Sequence, residues 1–150
     1  MTLVTLMDAV KEEVEAAVAD DPALQDLKGG PITVYAGFPE TRTSAKRMPS
    51  FVYCMVTKWS DTDNPELYSS AQVELGFSIE DPEFMTLMNF MEHVRQRLLA
   101  KRILAERYSL QLPLKGEIPT QQPVDSWQGR IQVTYSIGQP EYFGAEYVYE

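Results

Sequence analysis

Residues 71–79 read AQVELGFSI, and the apolar side chains alternate with Gln72, Glu74, Gly76 and Ser78. Successive side chains of a β-strand point to opposite faces of the sheet. The alternation therefore predicts a strand with one buried face and one solvated face. It is the clearest strand pattern in the chain.

A helix is predicted to follow this strand directly. Asp81 suits the cap position, Pro82 suits the first helical position, and Glu83 lies where the helix dipole favours an acid. Several bases cluster near the predicted C-terminal end, where cations are favoured. The side chains predicted to form the core stripe are Phe84, Leu87, Met88, Met91, Val94 and Leu98.

Other segments have the composition of strands. Residues 128–137 alternate after a Trp-Gln-Gly entry, which predicts a second half-buried strand. Residues 51–59 are apolar at nearly every position, a pattern typical of a strand covered on both faces. Residues 32–35 form a short β-type run. Residues 108–124 contain three prolines and are predicted to be extended but irregular, with an edge strand at Tyr108, Leu110 and Leu112.

The N-terminal segment is predicted to be an amphipathic helix with its acids mostly off the apolar stripe. The whole order indicates an α+β fold. We expect two layers, with a mostly antiparallel sheet of about four to five strands and helices packed on one face. Residues 1–150 are predicted to form one domain, with an aromatic C-terminal arm at 138–150. The stripe of the first helix consists of Leu3, Leu6, Met7, Val10, Val14, Ala17 and Val18.

Composition excludes several classes of protein. The chain has 150 residues, of which 44% are hydrophobic and 23% charged, as in ordinary globular domains. Its one cysteine, Cys54, excludes an internal disulfide, and its one histidine, His93, excludes paired-histidine metal motifs. The acidic N-terminal residues do not resemble a signal peptide, and no apolar run approaches bilayer length. We expect no membrane contact, no cofactor and a cytoplasmic folding compartment.

Charge is distributed unevenly along the chain. The net charge is −9, which argues against broad contact with nucleic acid. Residues 31–58 and 93–107 carry +3 and +4, whereas residues 1–30 and 59–92 carry −5 and −8. Such blocks suit head-to-tail association between copies of the chain. Salt bridges within one chain are an equally good interpretation.

No catalytic motif is present, so we expect no enzymatic activity. Cys54 and His93 are the one conceivable nucleophile–base pair, but a cysteine in an apolar strand usually acts as a small core hydrophobe. Asp61, Asp63 and Glu66 resemble a loose ligand set for a hard cation, yet their spacing falls short of a calcium loop. An ordinary solvated turn is favoured there, and no metal site is predicted.

Two segments are candidates for protein contacts. The long connection at 37–49 carries Arg42, Lys46 and Arg47, which either are solvated or meet an acidic partner. The last nine residues carry four aromatic side chains, which either cover their own sheet or dock onto a neighbouring subunit. These aromatic residues are Tyr142, Phe143, Tyr147 and Tyr149.

The order of elements and several short motifs resemble the tail terminator, or tail completion, proteins of long-tailed bacteriophages. The matching segments are V-Y-A-G-F-P at 34–39, P-S-F-V at 49–52, and the Asp81-led helix after a long alternating strand. The most telling pattern is W-x-G-x-I-x-x-x-Y at 127–135, followed by Q-P at 139–140. Together these segments span nearly the whole chain.

The resemblance implies a structural and non-enzymatic role. Proteins of this type form a hexameric ring on the tail tube, stop its polymerisation and present a surface to the head connector. The implied partners are copies of the chain, the tail tube protein and the head–tail connector. The genome would pass through the ring without sequence-specific recognition. The implied location is the host cytoplasm during assembly and then the virion tail or neck.

Two alternatives remain open at this point. One is another ring protein of the phage neck, such as a head-completion or stopper protein. The other is a monomeric α+β domain that binds a small ligand, which a pocket lined by convergent polar groups would favour.

Overall fold

The computed structural model describes residues 2–25, 27, 30–38, 50–63 and 69–138. Two α-helices and six strands are present in this part of the chain, with a short 3-10 turn at Pro22–Leu24. The helices are α1 (Thr2–Ala19) and α2 (Phe84–Ala100). The strands are β1 (Thr33–Ala36), β2 (Phe51–Ser60), β3 (Ser70–Ile79), β4 (Ile103–Leu104), β5 (Tyr108–Glu117) and β6 (Trp127–Ser136).

The strands form one six-stranded sheet with the order β1-β2-β3-β6-β5-β4. β1 runs parallel to β2, and the other neighbouring pairs are antiparallel. The predicted α+β class is confirmed, but four to five strands was too low and the sheet is mixed. The two-residue strand β4 has too few positions to show a periodicity, so the sequence pattern could not reveal it.

Both helices pack on the same face of the sheet. α1 contacts β1 and β2, while α2 contacts β3 and β6, and the two helices also contact each other. The core between the layers is built from alternate strand residues and one stripe of each helix. Its largest fully buried side chains include Tyr108, Tyr135, Phe90, Leu6, Leu75, Ile79 and Leu87.

Strand β2 differs from its prediction. Val52, Cys54 and Val56 are buried against the helices, but Phe51 and Tyr53 are only partly buried on the opposite face. The apolar run of 51–59 therefore does not indicate cover on both faces. Its second face carries aromatic side chains that remain accessible to solvent.

The main helix starts later than predicted and turns a slightly different face to the core. α2 begins at Phe84, and Asp81 lies before it, where its carboxylate accepts hydrogen bonds from the Glu83 amide and the Thr86 hydroxyl. Met88 is 37% exposed rather than buried. Phe90, which the predicted stripe omitted, is fully buried.

Phe90 is buried because it packs edge-to-face on Phe77 of β3, with ring centroids 5.3 Å apart. The helix is therefore rotated so that Phe90 points toward the sheet. This rotation leaves Met88 at the border of the buried face.

Candidate interaction surfaces

The residues predicted to make subunit contacts lie outside the described residues. The three basic residues fall within 39–49 and the four aromatic residues within 139–150, so Gly138 is the one described residue of the predicted arm at 138–150. Their contact role therefore stays a prediction. The residues concerned are Arg42, Lys46, Arg47, Tyr142, Phe143, Tyr147 and Tyr149.

The sheet face opposite the helices carries an aromatic cluster at its β1–β2 end. Tyr35 packs edge-to-face on Phe51, with ring centroids 6.3 Å apart, and Phe38 packs on Tyr53 at 5.4 Å. Phe38 is 53% exposed, so the cluster is open to solvent. Exposed aromatic groups of this kind are enriched at protein interfaces.

The same face becomes charged toward β5. Tyr53, Gly76, Arg130 and Glu117 are successive cross-strand neighbours on β2, β3, β6 and β5. The Tyr53 hydroxyl donates a hydrogen bond of 3.0 Å to Glu74, and Arg130 Nη2 lies 2.8 Å from Glu117 Oε2. Burial and the Glu74 contact raise the pKa of Tyr53 to about 12, so this hydroxyl stays protonated at neutral pH.

A second surface is an open groove of about 390 Å³ between α2 and β5. α2 covers the sheet over β3 and β6, and the far half of β5 extends beyond that cover. The apolar part of the lining consists of Met88, Met91, Leu114, Gly116, Ile118 and Ile131.

The charged groups around this groove are already paired. Arg95 Nη1 lies 3.0 Å from Glu92 Oε1 on α2, and Glu117 pairs with Arg130 across the sheet. A small-ligand site needs a few unpaired polar groups that converge on the ligand. The groove is therefore better suited to apolar side chains of another polypeptide, and methionines adapt their shape to such contacts.

The tryptophan–glycine pattern at the start of β6 has a packing role. Trp127 Nε1 donates a hydrogen bond of 2.9 Å to the Asp81 carbonyl, and its ring packs edge-to-face on Phe84. A Cβ at Gly129 would lie 2.6 Å from the sulfur of Met91. Trp127 and Gly129 thus fix the start of α2 and its approach to the sheet.

A charged cluster joins the two helices. Glu13 is only 8% exposed at its side chain, although the sequence places the acids of this helix mostly off its apolar stripe. Arg97 Nε donates to it at 2.8 Å and Lys101 Nζ at 2.5 Å, while Arg97 also pairs with Asp20. Burial alone would raise the pKa of Glu13, but the two bases outweigh burial and hold that pKa below its usual range.

Cys54 is poorly placed to act as a nucleophile. Cys54 is fully buried in β2, and burial raises the pKa of its thiol to about 12, far above that of a reactive thiol. The charge of Glu15 raises this pKa further, and the charge of Lys11 lowers it. The expectation that Cys54 serves as a core hydrophobe agrees with this placement.

The acidic turn after β2 is described only in part. Asp61 and Asp63 are described, and neither is buried, whereas Glu66 lies outside the described residues. Within the described ranges, no three histidine, cysteine or acidic residues are placed to hold a metal ion. No helix in this part of the chain is long and apolar enough to span a membrane.

Neither the profiles of known protein families nor the sequences of curated proteins match this chain. Solved structures do match. A chain of the virion of a native gene transfer agent particle has a TM-score of 0.51 and 14% identity, covering 87% of this chain and 95% of that one. The bacteriophage SPP1 gp17 protein has a TM-score of 0.51 and 10% identity, covering 92% and 95%.

This chain shares its fold with both of these proteins. The match extends over nearly the full length of the chains compared, so the similarity is not confined to one motif. One of these chains is part of a virion and the other is a bacteriophage protein. At 10–14% identity, the similarity carries the backbone arrangement and not the identity of individual contact residues.

Proposed function

We propose that this chain is a structural protein of a phage-type virion that assembles with copies of itself into a hexameric ring. The ring would cap the tail tube, stop its polymerisation and join the tail to the head connector. The observation that supports the proposal is the fold shared along nearly the whole chain with a virion component and a bacteriophage protein. The resemblance of the sequence to tail terminators supplies the more specific role.

The surfaces of the molecule suit this role. A closed ring needs two different complementary surfaces on each subunit, because every contact is head-to-tail. The fold offers an aromatic and charged sheet face on one side and an apolar groove beside α2 on the other. The basic segment with Arg42, Lys46 and Arg47 would add a positive contact to an acidic neighbour or to the tube.

The role requires no chemistry. The one nucleophile that the sequence offered, Cys54, is a buried and protonated thiol. The charged groups around the groove are paired rather than directed at a ligand. We place the protein in the host cytoplasm during assembly and afterwards in the tail or neck of the virion.

Light scattering across a concentration series, with negative-stain images of the same fractions, tests the proposal. Six copies of the 17.1 kDa chain predict a species of about 103 kDa that appears as rings. If the chain alone is monomeric, the measurement is repeated with tail tube protein. A chain that neither forms rings nor binds the tube would contradict the proposal.

A further inference from the structure

The outer edge of β5 is open along much of its length. β4 pairs with β5 only at Tyr108 and Ser109, and the Leu110 amide adds one hydrogen bond to Arg102. From residue 111 to residue 117, no strand of the described residues pairs with this edge. Pro113 has no amide hydrogen, so the part of the edge that can accept another strand is residues 114–117.

This open edge borders the apolar groove. Leu114, Gly116 and Glu117 contribute to the lining of the groove, whereas the alternation of β5 places the Lys115 side chain on the other face of the sheet. Glu117 pairs with Arg130, whereas Lys115 is exposed and has no ion pair to any described residue. A strand added at this edge would thus meet a groove on one face and a free base on the other.

The C-terminal residues of the chain have the matching pattern. Residues 146–150 read EYVYE, so in an extended conformation Tyr147 and Tyr149 share one face and Glu146 and Glu150 share the other. Tyrosine and valine favour strands. The tyrosines fit the apolar groove, and the acids fit the side that carries Lys115. Residues 139–150 contain three acids and no base.

The path of the chain favours a groove on another copy. β6 ends at Ser136 beside Ser109, and the Ile137 amide donates to the Ser69 carbonyl. At that end of the sheet, β4 and the turn before β5 lie between the end of β6 and the open β5 edge of the same copy. Seven residues, 139–145, lie between Gly138 and the segment 146–150 and span up to about 25 Å when extended, which lets the segment reach a subunit packed against this one.

We propose that residues 146–150 of one copy add to the β5 edge of a neighbouring copy and place Tyr147 and Tyr149 in its groove between α2 and β5. This inference rests on the proposed assembly into a ring and names the surfaces that close it. The contact is β-strand addition, in which main-chain hydrogen bonds hold the segment and alternate side chains fill pockets.

The test uses two defective chains. The arm-defective chain carries Tyr147→Ala and Tyr149→Ala. The groove-defective chain carries Met88→Glu, which places a charge in the groove where the tyrosine side chains would lie. Val4→Glu is the matched control, because Val4 is an exposed apolar helix residue on α1, away from the groove. Circular dichroism and thermal melting check that each variant folds.

We expect each defective chain alone to need at least roughly tenfold higher concentration than the wild type for half-maximal assembly. The Val4→Glu chain should assemble like the wild type. A mixture of the two defective chains should form a heterodimer of twice 17.1 kDa, about 34 kDa, because one intact arm then meets one intact groove. This mixture cannot close a ring.

Disulfide trapping gives a second measurement. In a Cys54→Ala background, Tyr149→Cys combined with Met88→Cys should give covalent dimers and larger species under oxidation. A bond formed only within one chain would overturn the proposal. Normal assembly of both defective chains would also overturn it and leave the proposed ring intact. A wild-type chain that never assembles, with or without tail tube protein, would overturn both.

Discussion

A Cβ atom placed on Gly76 would lie 2.1 Å from Cε1 of Tyr53, so the phenol ring of Tyr53 lies directly over the Gly76 backbone. This close approach is possible only because residue 76 has no side chain. It holds the Tyr53 hydroxyl on Glu74 and gives Phe38 a ring to pack against. One glycine in β3 thus shapes the aromatic end of the open sheet face.

The first prediction concerns this contact. Gly76→Ala should displace the Tyr53 ring, break its hydrogen bond to Glu74 and lower the free energy of unfolding by about 1–3 kcal/mol. Gly116→Ala is the matched control, because a Cβ there would meet its nearest atoms at 3.7 and 3.8 Å, which is ordinary contact. Urea unfolding of both variants measures the difference. Equal losses in the two variants would contradict the explanation.

The second prediction concerns Glu13. Because Lys101 and Arg97 hold its folded-state pKa below the ordinary value of 4.5, the carboxylate stabilises the fold at pH above that value. This stabilisation should be lost as the pH falls through the folded-state pKa. Glu13→Gln should lower the free energy of unfolding at pH 7 by about 1.5–3 kcal/mol, since two hydrogen bonds to charged groups are weakened.

Thermal melts from pH 7 to pH 3 measure this effect. The difference between the wild type and Glu13→Gln should shrink at the acid end of the range. Glu15→Gln is the control. The Glu15 side chain is 51% exposed and its Oε1 lies 3.9 Å from Lys11 Nζ, so this ion pair contributes little to the free energy of unfolding. A constant difference at every pH would show that charge is not the cause.

The third prediction concerns Cys54. Its buried thiol should react with a thiol reagent at pH 8 only when the chain unfolds, because both burial and the raised pKa suppress the thiolate. In a Cys54→Ala background, Val124→Cys provides a fully exposed comparison thiol, which should react within minutes. Equally fast labelling of Cys54 in the native protein would contradict its burial.

Periodicity predicted the helices and strands in which apolar side chains recur at a regular spacing along the sequence. The alternation of 71–79 corresponds to β3, and the stripe of the first helix corresponds to α1 with Leu6, Val10, Val14 and Ala17 buried. Gly76 also stands out as a glycine inside a strand, which is a known signal of close approach. The sequence did not show which ring approaches it.

Features that depend on distant partners could not be predicted in this way. Glu13 is buried because Arg97, 84 residues further along the chain, neutralises it. The exposure of Met88 depends on the rotation of α2 toward Phe77, and the groove exists because β5 extends beyond the helix. These features arise from tertiary packing, which a single-residue pattern does not encode.

The last prediction concerns the basic segment. Two described residues near this segment, Gly37 and Ser50, lie at opposite ends of the parallel β1–β2 pair. The Gly37 amide donates a hydrogen bond to the Cys54 carbonyl at one end, and the Thr33 amide donates one to the Ser50 carbonyl at the other. Reversing Arg42, Lys46 and Arg47 to glutamate should weaken ring formation or tube binding, because the positive contact becomes repulsive to an acidic neighbour. Light scattering with and without tail tube protein measures both. Reversal of Lys11, Lys58 and Arg102 changes the net charge equally, so an equal effect in that control would assign the loss to overall charge rather than to this segment.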